Sequence, residues 1–136
     1  MRRFATVLTV LLGLFPLTFG VRFLFDGPAA GAGYGITAAA GGFFVAKGIR
    51  DIVLGLNLLA LFALKQRRAT GVLMAITTLV PIVDMITVLS HGGTTATALG
   101  VHGLTALVML VDASLLLRER RTVEAVEAAQ PVGAHS

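Results

Sequence analysis

An all-α integral membrane protein, a four-helix bundle with both termini cytoplasmic, is the fold this sequence predicts. Three observations carry the prediction. Hydrophobic residues make up 56% of the 136 residues and charged residues only 13%, against about 25% charged in a soluble domain. The apolar residues gather into four runs, each near the roughly 20 residues that cross a ~30 Å hydrocarbon core. The basic residues sit just outside those runs, at Arg2-Arg3, Lys65-Gln66-Arg67-Arg68 and Arg118-Glu119-Arg120-Arg121, as cytoplasmic flanks do.

The first run spans Phe4 to Phe25 and contains Pro16, which removes a helix hydrogen bond and predicts a kink. Arg2-Arg3 ahead of it and the small residues Ala30-Gly31-Ala32 behind it give a signal-peptide outline. The run exceeds the usual h-region of about 7–15 residues and holds Arg22, so it reads as a span. The second run covers about Phe43 to Leu64, or starts earlier within residues 36–42, the third Ala69 to Ser90 with Pro81 inside it, and the fourth about Thr97 to Leu117. The connections at 26–42 and 91–100 are rich in Gly, Ala and Thr, carry one charge, Asp26, and belong on the far side. Residues 1–121 therefore form the membrane domain, and 122–136 a polar cytoplasmic tail fraying after Pro131. Small residues at Ala38, Gly42 and Ala46, and at Ala96 and Gly100, have the four-residue spacing by which membrane helices pack closely, and equally suit a loop and a helix start.

The formal charge of +4 does not indicate a nucleic-acid partner, because the basic residues are dispersed at span ends rather than collected on one face. The chain has no cysteine, which removes thiol nucleophiles and cysteine metal sites. The partner that composition implies is the lipid bilayer.

Charged side chains inside the runs need a reason, since each costs roughly 2.5–3.5 kcal/mol at a bilayer centre. Arg22 on the first run, Lys47, Arg50 and Asp51 on the second, Asp84 on the third and His102 on the fourth all lie near the far end of their runs. At 1.5 Å per residue they share one layer, roughly 4–12 Å from the boundary. Asn57 and Asp112 match one another at a deeper level, where an interhelical hydrogen bond is expected. Helical spacing puts Lys47, Arg50, Asp51 and Leu54 on one stripe. Thr77, Asp84 and His91 share another face, and His102, Thr105, Met109 and Asp112 a third.

These faces predict one polar pocket opening toward the far side. Lys47 pairs with Asp51 one turn away, and Arg50 turns to Asp84 because neighbours Arg50 and Asp51 point apart. Arg22, Lys47 and Arg50 against Asp51 and Asp84 leave a surplus positive charge, suited to an anionic or carbonyl group. Asp51, Asp84 and His102 are the candidate acid and base groups; imidazole titrates near neutral pH. Arg50, Lys47, Arg22, Asn57 and Asp112 are the candidate binding residues. A purely structural account uses the same residues: ion pairs fix helix neighbours, Arg22 snorkels to headgroups, and His102 is a satisfied core histidine. His91 and His102 with an aspartate lack a recognised ligand spacing, so no metal is expected. No nucleotide-binding loop is visible and no cofactor is expected.

The run Phe43-x-x-x-Lys47-Gly48-x-Arg50-Asp51-x-x-x-Gly55, with Asp84 and His102-Gly103, resembles a family of small bacterial four-span membrane proteins, a domain of unknown function. In size and layout that family is similar to the DoxX-like membrane proteins. The resemblance implies the bundle and a bacterial inner-membrane location, and supplies no reaction. Three functions fit the residues. One is an acid/base enzyme or binding protein for a small lipophilic or anionic substrate, of isomerase, cyclase or hydratase type. The others are a structural or accessory subunit and a small proton-coupled transporter. A homo-oligomer is expected, since four short helices seal little interior.

Overall fold

A computed structural model describes residues 2–36 and 41–128. Every regular element in them is helical: α1 (Arg2–Phe25), α2 (Gly27–Tyr34), α3 (Gly41–Ala63), α4 (Arg67–Thr77), α5 (Leu79–Ser90), α6 (Thr95–Thr97), a π-helical segment (Ala98–Gly103) and α7 (Leu104–Ala128). α4 and α5 continue one rod interrupted at Thr78, and α6, the π segment and α7 continue another. α7 extends into the part expected to be tail; Pro131 and Ala38 lie outside the described residues.

Among the described residues, three stretches are long and apolar enough to cross a membrane: Arg2–Phe25, Arg67–Ser90 and Thr95–Arg118. α3 is of similar length, but Lys47, Arg50 and Asp51 fall within every part of it long enough to span. The surface is inside-out for a protein in water. Large apolar side chains such as Leu14, Ile49, Val53, Ile76, Val83 and Leu107 point outward, while Lys47, Asp51, Asp84, His102 and Asp112 are buried. A contiguous apolar exterior of this kind marks contact with lipid rather than water.

α1 and α3 pack antiparallel at closest range, and glycine makes this possible. A side chain at Gly55 would meet the Gly13 carbonyl at 2.5 Å, and one at Gly20 would meet the Gly48 carbonyl at 2.6 Å. Only bare backbones fit at these crossings. The small residues expected to do this work do not: nothing approaches a side chain built at Gly42 or Gly100, and Ala46 and Ala96 are exposed. Those positions lie on helix faces that no other described element covers.

The second close pair is α4 with α7, and α5 lies against the π segment. Between the α1–α3 pair and the α5–π pair there are few close backbone approaches. The rods are thus drawn together near Arg2, Arg67 and Arg118, the basic end, and stand apart near α2.

α2 corrects the reading of the 26–42 connection as a loop. Asp26 caps it, accepting from the Ala29 amide at 3.2 Å; Pro28 occupies its first turn and Gly35, with φ +104°, ends it. These are start and stop signals of a helix. Ala30, Gly31 and Tyr34 are buried, and Tyr34 joins Phe23, Ile36, Val88 and Ala98 in an apolar cluster. The short helix closes over the gap that the long rods leave.

Candidate functional site

Four charges bridge that gap as a closed ring. Lys47 Nζ donates to Asp51 Oδ2 at 2.8 Å and to Asp84 Oδ2 at 3.2 Å. Arg50 Nη2 donates to Asp84 Oδ2 at 3.0 Å and Oδ1 at 3.3 Å, and Arg50 Nε donates to Asp51 Oδ1 at 3.1 Å. Each carboxylate holds both cations, and α3 is tied to α5. The Arg50–Asp51 contact corrects the expectation that these neighbours point apart. Their Cβ atoms diverge by about 100° around the helix, but the long arginine stem bends back far enough to reach.

The ring contains two positive and two negative charges, and this corrects the expected cationic surplus. Arg22 lies outside it, exposed at the end of α1, because the buried position goes to its neighbour Phe23. Phe23 packs on Tyr34, Phe43 and Phe44 with ring centroids 6.1 to 6.4 Å away. Asn57 is likewise exposed on α3. The deeper partner of Asp112 is Thr9, whose Oγ1 lies 2.6 Å from Asp112 Oδ2 on the basic-end side. The Thr77 and Asp84 face and the His102, Thr105 and Met109 face do meet; His91 is exposed and turned to the Thr87 carbonyl.

Tyr34 is the site residue that the linear pattern missed. The Lys47 ammonium sits 4.5 Å from its ring centroid and 5.2 Å from that of Phe23. His102 meets the Tyr34 ring edge-on at 4.7 Å and donates from Nε2 to the Tyr34 carbonyl at 3.0 Å. Because a carbonyl only accepts, this bond puts a proton on Nε2, and in the tautomer with that single proton Nδ1 is an acceptor. Burial raises the Tyr34 phenol well above its ordinary range, and the nearby Asp84 carboxylate raises it further. The helical cap signals of 26–35 were the clue to its placement, with Tyr34 in the last turn.

Beside the ring lies a cavity of about 80 Å³. Lys47, Asp51, Asp84, Tyr34 and His102 line its α2 end. Leu12, Phe15 and Leu54 line its sides, Leu58 and Met109 its floor, and Thr77 and Thr105 bring hydroxyl groups to the wall. Pro16, Pro81 and two residues of the π segment, Val101 and His102, line it as well. Three departures from regular α-helix, on three rods, therefore face one cavity. π-Helical turns are rare within α-helices and occur frequently at functional sites.

The floor closes the cavity toward the basic end. Leu58, Met74, Met109 and Ala113 form one buried apolar cluster, and Asp112 with Thr9 lies beyond it.

A family model described as a domain of unknown function (DUF4267) matches residues 13–116. The chain belongs to that family, and the match takes in the ring, Tyr34 and His102. No curated protein and no solved structure matches the chain.

Proposed function

We propose that this is a four-span protein of the bacterial inner membrane, with both termini cytoplasmic, whose cavity binds a small amphiphilic molecule entering from the α2 side. The observation that carries the reading is the convergence of a four-charge ring, buried at Lys47, Asp51 and Asp84 and half-exposed at Arg50, and three helix irregularities on one apolar-walled cavity. Such a cavity suits a ligand with a polar end against Lys47, Asp51, Asp84 and Tyr34 and an apolar body along Leu12, Phe15 and Leu54. If the bound molecule is transformed, His102 is the proton-exchanging group, since Nδ1 is open while Asp51 and Asp84 are each engaged by two cations. The two aspartates then act by holding Lys47 in place. The apolar floor disfavours a through path, and with it the transporter.

The ring also ties α3 to α5, which favours an accessory, structural reading as the alternative. Native mass spectrometry of the wild type and Arg50→Gln separates the two and reads the oligomeric state. A discrete co-purified mass on the wild type, lost from a variant of unchanged oligomeric state, is the expected result. A bare wild type together with a variant that dissociates supports the accessory role. The orientation is checked by Thr95→Cys, which introduces the sole cysteine: an impermeant thiol reagent labels it from the periplasmic side, and labelling only from the cytoplasm overturns the topology.

A further inference from the structure

The hydrogen-bonding groups around the cavity are unevenly divided between donors and acceptors. Most of the donors are already spent within the protein. Two Lys47 protons go to Asp51 and Asp84, and the ammonium otherwise faces the Tyr34 ring. The Tyr34 hydroxyl lies near the Asp84 carboxylate, His102 Nε2 is engaged by the Tyr34 carbonyl, and the Thr105 hydroxyl by the Val101 carbonyl at 2.6 Å.

Acceptors remain. His102 Nδ1 is one, and Thr105 Oγ1 keeps its lone pairs. Pro16 and Pro81 have no N–H, so the carbonyls four residues earlier, on Leu12 and Thr77, lack their usual helical donor. Leu12 and Thr77 both line the cavity, as do the two prolines. The Thr77 hydroxyl can act either way.

Charge is the second constraint. The ring balances two cations with two carboxylates, so an anionic or cationic head would have to displace a partner that is already paired and buried. Breaking such a pair leaves an uncompensated charge, which is strongly unfavourable.

From these two constraints we infer that the ligand class is an uncharged amphiphile with a hydroxyl donor at its polar end, a lipophilic alcohol, rather than a carboxylate, an amine or an ether. The inference rests on the binding reading above and narrows it. The hydroxyl donates to one of the open acceptors and its alkyl body lies against Phe15, Leu54 and Leu58. It also replaces the anionic class that a cationic surplus would have selected.

The protein carries its own reporter. Tyr34 is the single tyrosine and there is no tryptophan, so intrinsic fluorescence arises at the cavity wall. The test uses the full chain in lipid vesicles, which add no aromatic fluorophore, titrated with 1-hexanol, its isomeric ether 1-methoxypentane, hexanoate and hexylamine at neutral pH. We expect a saturable change with hexanol, and affinity weaker by about tenfold or more for the other three, the ratio set by one buried hydrogen bond. Thr105→Val, which removes an acceptor, weakens hexanol and leaves the ether unchanged. Equal binding of ether and alcohol overturns the donor requirement, and tightest binding of hexanoate or hexylamine overturns the neutral class; either way the cavity still binds. No saturable response to any of the four probes overturns the binding reading itself.

Discussion

The α2 end and the basic end are built from the same rods, yet the first holds a cavity bridged by four charges and the second a plug of Leu58, Met74, Met109 and Ala113. At the basic end the helices are regular and approach closely enough for apolar side chains to interlock. At the α2 end Pro16, Pro81 and the π segment disturb three rods, and the side chains that cross the gap are the long polar ones. The difference teaches what the charges are for. Two helices that cannot touch through backbone or methyl groups are joined by Lys47 and Arg50, whose stems span the distance and whose heads find carboxylates. The space left beside them is what makes a site possible.

The largest expected effect comes from breaking that bridge. Asp84→Asn leaves Lys47 and Arg50 sharing the single carboxylate of Asp51, and removal of one partner from a buried ion pair costs about 3–5 kcal/mol. Thermal unfolding in detergent measures it. Replacing the whole ring with Lys47→Met, Arg50→Leu, Asp51→Leu and Asp84→Leu should recover most of that loss, because no orphaned charge remains. The fourfold variant should still fail to bind hexanol. A fourfold variant that binds normally would detach the ring from the site.

Tyr34 gives the comparison a pH axis. It belongs to α2, outside the long apolar rods, and burial together with Asp84 raises its phenol. An unfolded tyrosine loses its proton near pH 10, whereas the folded one keeps it. The unfolded state therefore binds fewer protons above pH 10, and stability falls as pH rises, by about 1.4 kcal/mol per unit until the folded phenol also ionises. Below pH 10 the contribution is fully present. Ultraviolet titration of tyrosinate checks this with a single chromophore. Ionisation near pH 10 in the folded protein would mean that α2 does not cover the cavity.

The contrast between the ends also explains what the sequence could reveal. Lys47, Arg50, Asp51, Asp84 and His102 were legible because charge is rare within apolar runs and the rise per residue converts position into depth. Depth, however, does not give direction. Arg22 and Asn57 have suitable depths and face outward, the first because Phe23 takes the inner position. The π segment was not legible: an extra residue in a turn rotates the chain without a side-chain signature. Tyr34 was half legible. Asp26, Pro28 and Gly35 are cap residues, but a composition of Gly and Ala reads as a loop unless those caps are weighed together.

A smaller effect tests whether α2 closes the cavity as a unit. Asp26→Ala removes the side chain that accepts from the Ala29 amide, and loss of an N-cap costs typically about 1 kcal/mol. The cost should be local. Hydrogen exchange should speed up about fivefold at the amides of α2 with little change in α3 or α7. Uniform acceleration across all the helices would show that α2 opens only with the whole protein.

The smallest effect is expected where the polar contact looks strongest. Thr9 and Asp112 are both fully buried and only 2.6 Å apart, which suggests a large loss for Thr9→Val. Two facts reduce it. Valine keeps the shape of the side chain, and Asp112 has further interactions besides Thr9. Hydrogen bonds between helices in lipid average about 0.6 kcal/mol, because separated helices also find partners, so a loss of that order is expected. Since the apolar plug lies between this pair and the cavity, hexanol binding at Tyr34 should be unchanged. If Thr9→Val weakened hexanol as much as Thr105→Val, the two ends would be coupled through the plug, and the cavity would have to be treated as one part of a longer polar path.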